Sequence, residues 1–254
     1  LGHDRAEGLA GFSTAHAVSH SVRDSAVLLD VTHGPIPGAV YGTPDSMGTF
    51  CEALEEGLPE LTVGLCMTGF AGEAIDPLCQ KAAVDAATLC ESLGCKVAEV
   101  EPPVNGTILR QAFDVLFSSH IARVVSDVLS ERPDHSPEML FEPLTLACAD
   151  AGQIRTAMEY VSAVETIQRS ADELARFFLE YDVLLTPTLA KPPLKLNEIN
   201  MNCDNWPMYL EKMLDEIPFT PLFNATGAPA ASVPLAETED GLPIGIQIGA
   251  ALGQ

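Results

Sequence analysis

Basic residues are scarce in this sequence: 13 Lys and Arg stand against 36 Asp and Glu, a formal charge of −23 at pH 7. A surface of that sign repels phosphate backbones and anionic lipid heads, so neither nucleic acid nor a membrane surface is an expected partner. No apolar run reaches the ~18 residues of a membrane-spanning helix, and the opening LGHDRAEG has neither the basic start nor the apolar stretch of a signal peptide. The seven cysteines (Cys51, Cys66, Cys79, Cys90, Cys95, Cys148 and Cys203) contain no CxxC pair. An odd set, several on apolar faces, is the usage of free thiols in a reducing compartment, and the cytoplasm is the expected location.

Several chemistries are also missing. There is no GxSxG elbow and no HExxH pair, and none of His16, His20, His33, His120 and His135 lies in a motif that joins it to a nucleophile. His16 and His20 could share a helix face, but no third metal ligand accompanies them. Neither GxGxxG nor GxxxxGKS follows a strand, and AETEDG at 236–241 has too few alternating oxygen ligands for a calcium loop. No cofactor or metal is expected. Cys66, at a strand end, is readable as a thiol nucleophile or as a buried free cysteine.

What is present is enough for a substantial core: 254 residues, 47% hydrophobic, in one large domain or two modest ones. SHSVRDSAVLLD (19–30) carries Val18, Val22, Ala26 and Leu29 on one stripe and predicts a short helix, ended by His33-Gly34-Pro35 and a Pro- and Gly-rich loop. LTVGLCM (61–67) is a strand. Asp76-Pro77 caps a helix running to Leu93 with Cys79, Ala82, Ala83, Ala86, Leu89, Cys90 and Leu93 on its buried side, Gly94 ends it, and KVAEVEPP forms the next strand. Strand, helix and strand in this spacing make a βαβ unit with parallel strands.

Helices follow over 108–130, around 140–149 and over 154–181, the last with Ala157, Val161, Val164, Ile167, Ala171, Leu174 and Phe178 on its apolar side. DVLLTPT is then a buried strand, whose carboxyl end is where α/β proteins gather functional groups. Residues 189–218, with the only tryptophan, read as irregular chain: a lid, a pocket wall or a surface excursion. The stretch FTPLFNATGAPAASVPLAETEDGLPIGIQ (219–247) reads as two buried strands joined by an acidic hairpin.

That last stretch closely resembles the C-terminal signature of the amidase signature family of serine hydrolases. SVRDSAVLLD with its GP-rich loop, LTVGLCM with ESLGCKVAEVEPP, and DVLLTPT resemble family segments in the same order. The wording of SVRDSA and THGPIPG is most similar to the branch that includes 6-aminohexanoate cyclic dimer hydrolase. The resemblance implies an α/β fold with a mixed central sheet flanked by helices, residues 1–254 forming one partial amidase domain.

It also implies hydrolysis of carboxylic amides by a serine nucleophile, a second serine held by a cis peptide bond, and a lysine base. Burial lowers the lysine pKa so that it can take the hydroxyl proton through the bridging serine. Family members carry these groups in a Gly- and Ser-rich tract and before it. No such tract occurs in residues 1–254. The expectation is therefore a C-terminal portion, its N-terminal catalytic part and last helix missing, inactive alone on small linear or cyclic amides and prone to self-associate or to bind its missing half.

By the same resemblance the substrate-binding candidates are Phe117, Ser118, Thr186, Thr188, Ile217, Phe219 and Phe223, with core packing the alternative for Phe117. Ile217 and Pro218 favour an apolar acyl group; Asp215 or Glu216, after a register shift, would instead read an amino group. Asn224 and Gln247 are structural candidates. Two alternatives stay open: a non-catalytic binding or regulatory domain of the same family, and a stand-alone hydrolase using Cys66 or a histidine.

Overall fold

The computed structural model describes residues 8–34 and 48–254. The Pro- and Gly-rich loop expected after Gly34 lies largely outside the described residues. A 3-10 turn, Gly8–Gly11, precedes helices α1 (Val22–Thr32) and α2 (Phe50–Ala53). Strand β1 (Thr62–Leu65), α3 (Pro77–Ser92) and β2 (Lys96–Glu99) come next, followed by α4 (Gly106–Glu131), α5 (Pro137–Leu140), α6 (Pro143–Gln153) and α7 (Ala157–Phe177). Strand β3 (Val183–Pro187), α8 (Trp206–Glu216), α9 (Thr220–Thr226), β4 (Ala230–Glu237) and β5 (Pro243–Ala250) complete the order.

The five strands form one mixed sheet in the order β2-β1-β3-β5-β4. β1 runs parallel to β2 and to β3, with Val63 opposite both Val97 and Val183. β5 runs antiparallel to β3 and to β4. The predicted βαβ unit is present, and its local chemistry explains its bounds. Asp76 accepts a hydrogen bond from the Leu78 N–H at 2.8 Å, Pro77 occupies the first turn, and Gly94 takes φ +96° to end α3. Cys79, Ala82, Ala83, Ala86 and Ala87 are buried as α3 packs along the sheet. Leu89 and Leu93, expected on that buried side, are 49% and 61% exposed.

Helix α7 begins one turn later than predicted, at a capping box in which Thr156 and Glu159 satisfy each other's backbone N–H groups. Its buried residues are Ala163, Ser170, Leu174 and Phe177, whereas Ala157 and Val161 face outward. The largest apolar cluster joins β1, β3 and β5 to α3, α4 and α9, through Val63, Leu184, Leu185, Ile246, Leu116, Phe219 and Leu222. A second cluster, built from Leu144, Cys148, Trp206, Leu210 and Leu214, joins α6 to α8.

Two expectations about whole segments are also corrected. The segment 189–218 contains a regular helix, α8, capped by Asn205, which accepts from the Met208 N–H, with Pro207 in its first turn and Trp206, Leu210 and Leu214 on its buried side. Of the two C-terminal strands only β5 is buried, because β4 is the outermost strand and has one neighbour. Its register slips between Pro234 and Ala236, and Pro234 carries no N–H, two features that blunt a sheet edge. On α1, Ala26 is buried but Val22 is 56% and Val31 77% exposed. Among the described residues no helix is long and apolar enough to cross a membrane.

Candidate active-site wall

The carboxyl ends of the parallel strands β1 and β3 point to the same end of the sheet, and the chain folds back on itself there. Asp76 donates its N–H to the carbonyl of Ala190, Ala190 donates to Glu216, and Gly106 donates to Phe70, at 2.8, 3.0 and 3.0 Å. These bonds bring together the loop after β1, the segment after β3, the start of α4 and the junction between α8 and α9. That junction holds Ile217, Pro218 and Phe219.

Three groups of residues line this end. In the first, Ile217 joins Phe70, Leu109, Phe113, Leu214 and Pro221 around a small apolar cavity of ≈ 20 Å³, room for about one water. Phe219 lies beneath, fully buried, its ring edge-on to Phe70 at 5.3 Å. In the second, Phe117 stacks between Phe113 at 5.3 Å and Trp206 at 5.4 Å. Ile217, Phe113 and Phe117 all pack on the α6–α8 cluster, so the candidates Ile217 and Phe117 share one apolar seam with Phe113. Phe223 sits apart, against Gly249 on β5.

The third group is polar. The Thr188 and Ser232 hydroxyls are 2.7 Å apart, meeting across Gly245, where a side chain would collide with both. Thr186, fully buried, donates its hydroxyl to the Pro187 carbonyl at 2.8 Å and accepts from Gln247 Nε2 at 3.3 Å. Ser118 is also fully buried, and its hydroxyl donates to the Asp114 carbonyl at 2.6 Å within α4. The Thr186 and Ser118 hydroxyls are thus used internally, whereas the Thr188–Ser232 pair reaches partly exposed surface. Asn224 donates to the Phe12 carbonyl at 2.9 Å, tying α9 to the N-terminal turn.

Charged groups frame the apolar seam. Arg110 reaches Glu73 at 2.5 Å and Asp215 at 2.8 Å, and Lys191 reaches Glu216 at 2.6 Å. The Glu73 carboxylate is nearly buried and also accepts from the Ala71 N–H at 2.8 Å. Arg110 Nη2 is buried and makes no hydrogen bond, its approach to Glu73 being an ion pair without hydrogen-bond alignment. Hydrogen bonding to Glu216 raises the Lys191 pKa, holding the ammonium charged. Asp215 and Glu216 therefore each have a cation, and Ile217, next in the chain, turns to the apolar cavity.

Sequence reasoning missed a half-buried polar hub. Asp114 accepts from the Trp206 indole N–H at 2.7 Å and from Arg155 at 2.6 Å, joining α4 to α8 and to the turn before α7. The signal was available: Arg110, Asp114 and Phe117 recur at i, i+4 and i+7 on α4, one stripe facing a common neighbour, α8.

Other candidate chemistries fare poorly. Cys66 is buried, its Sγ donates to the Thr68 carbonyl, and desolvation pushes its thiol up to about 11, away from the thiolate a nucleophile needs. His16 bonds to Ser25, and no cluster of three metal-ligating side chains occurs among the described residues.

A family model, Amidase, matches residues 7–254. The chain belongs to the amidase signature family. It is 26% identical over 264 residues to 6-aminohexanoate-cyclic-dimer hydrolase of Paenarthrobacter ureafaciens, covering 98% of this chain and 52% of that protein. An amidase of Pseudomonas putida is 26% identical over 247 residues, covering 93% and 49%. The solved structure of a 6-aminohexanoate cyclic dimer hydrolase superposes with a TM-score of 0.83 at 26% identity, over 93% of this chain and 50% of that one. A bacterial aryl acylamidase of the amidase signature family, 21% identical with a TM-score of 0.72, shares the fold. This amidase-family chain thus spans about half the length of the curated relatives it matches.

Proposed function

We propose that this chain is the C-terminal part of a single amidase domain that hydrolyses the C–N bonds of small linear or cyclic carboxylic amides. The observation that carries the reading is the family match over residues 7–254 together with a structural likeness that covers nearly all of this chain and half of the relative. On this reading the nucleophilic serine, the cis-serine and the lysine base are contributed by sequence outside residues 1–254, which hold no Gly- and Ser-rich tract. The lysine takes the serine proton through the bridging hydroxyl, and backbone N–H groups beside the nucleophile hold the oxyanion. This chain supplies the other wall. Phe117 and Ile217 give it apolar surface, backed by the buried Phe219 and Phe223; the Thr188–Ser232 pair offers hydroxyls, and the ion pairs of Asp215 with Arg110 and of Glu216 with Lys191 fix the backbone that leads into Ile217.

The substrate is a small amide with an apolar acyl chain or ring, 6-aminohexanoate cyclic dimer being the one suggested by the relatives. The free thiols agree with a cytoplasmic setting. The exposed β4 edge and outward faces of α1 support a covering N-terminal half as the macromolecular partner.

The test compares two proteins on the cyclic dimer and a panel of short acyl amides. Residues 1–254 alone should give no turnover. A longer gene product that includes the preceding sequence should turn over and carry a fluorophosphonate on a serine outside these residues. Turnover by residues 1–254 that the fluorophosphonate abolishes refutes the assignment.

A further inference from the structure

Two of the seven cysteines are brought together by the turn that ends α3. The Cys95 N–H donates to the Cys90 carbonyl and the Gly94 N–H to the Glu91 carbonyl, both at 3.0 Å, with Gly94 left-handed at φ +96°. That bond pair is a Schellman motif, in which the side chains at the positions of Cys90 and Cys95 commonly contact each other. The 3.0 Å bond and standard backbone lengths hold their Cα atoms within about 7 Å. The window for a disulfide is about 4.4–6.8 Å. Both side chains are half-buried, at the surface edge of the core rather than within it, and neither is disulfide-bonded. The proximity also registers electrostatically: burial raises the Cys90 thiol, and the Cys95 thiol is the next cause.

We propose that Cys90 and Cys95 form a dithiol modification site that closes reversibly to a disulfide on exchange with a low-molecular-weight disulfide such as oxidised glutathione. One thiolate attacks the glutathione disulfide, expelling a glutathione thiolate and leaving a mixed disulfide on the protein. The second thiolate attacks the protein sulfur of that bond and expels the other glutathione. The protein loses two electrons and two protons, and the oxidised glutathione becomes two reduced molecules. The product staples the last turn of α3 to the residue just before β2, whose Lys96 is opposite Thr62 in the sheet. Cys66, Cys79 and Cys148 have no such access, being buried with thiols pushed up to about 11, 11 and 12.

The sequence suits a direct test. Trypsin releases Ala82–Lys96, AAVDAATLCESLGCK, which contains these two cysteines and no other. After equilibration of the folded chain with glutathione buffers, this peptide should lose about 2 Da, the two hydrogens of the thiols. Cleavage after Glu91 should leave its halves linked until dithiothreitol is added. Because the cysteines are close in sequence, the same titration in urea separates chain proximity from the folded turn. The bond should form at least about tenfold more favourably in the folded chain, as higher effective concentration requires. Cys90→Ser and Cys95→Ser should each abolish the linkage and leave a single glutathione adduct. Equal constants in urea and buffer, or separate glutathione adducts on both cysteines with no linked fragments, would overturn the proposal.

Discussion

Replacing Asp114 with alanine removes the acceptor shared by Trp206 and Arg155 and leaves both donors where they stand. Trp206 is 4% exposed, so its indole N–H gains no water in exchange. An unsatisfied buried donor costs about 1–3 kcal/mol. The Arg155 side chain is 24% exposed and that of Asp114 26%, so solvent screens their ion pair and its loss adds about 1 kcal/mol. The alanine variant should therefore lose about 2–4 kcal/mol. Asparagine keeps an oxygen for the indole and forfeits only the charge, so Asp114→Asn should lose about 1 kcal/mol. Trp206 is the only tryptophan, so its fluorescence during urea unfolding reads the hub itself and the global transition at once. The reasoning fails if the alanine variant lies within about 0.5 kcal/mol of the parent, or if asparagine is as damaging as alanine.

Two further outcomes follow from packing and ionisation. A Cβ on Gly152 would stand 2.0 Å from the Ser118 carbonyl oxygen and 2.9 Å from Ala122 Cβ, so α6 and α4 would have to separate. Gly152→Ala gains about 1 kcal/mol of helix propensity, yet it should destabilise by a net 1–3 kcal/mol or so in urea titration, and a stabilised variant would show that the helices yield freely. Cys66, Cys79 and Cys148 are held protonated, with thiols raised from 9.0 to about 11, 11 and 12. Their contribution is complete below pH 9 and is lost as pH rises toward 11 and 12, because the unfolded chain releases these protons first. The parent should accordingly lose stability between pH 9 and 11 more steeply than a variant with alanine at all three positions, and parallel pH curves would contradict this.

Much of the local structure was legible because its causes are local. Asp76, Pro77 and Gly94 bound α3 through their own side chains and dihedrals, and the apolar run of β3 needs burial on both faces wherever it sits. Helix α8 escaped notice although Asn205, Pro207 and the spacing of Trp206, Leu210 and Leu214 encode it; flanking polar and proline residues obscured a helix of three turns. The candidate wall was legible unevenly. Ile217, picked out by a resemblance, lines the small cavity, whereas Phe219 is buried against Phe70, and Ser118 and Thr186 spend their hydroxyls on backbone and core partners. Nothing in a one-dimensional pattern distinguishes a hydroxyl aimed at a cleft from one that satisfies the carbonyl a turn behind it.

The sequence by itself determined the βαβ unit, the helix caps, the acidic surface and membership of the amidase signature family, since each rests on residue types at short, fixed spacings. Tertiary structure alone decided that β4 lies at the sheet edge while β5 lies inside it: burial follows strand order, and strand order is set by pairing between residues far apart in the chain. The same holds for the wall. Glu73, Arg110 and the Asp215–Ile217 stretch come from three separate segments, and only the return of the chain to the carboxyl ends of β1 and β3 makes them neighbours.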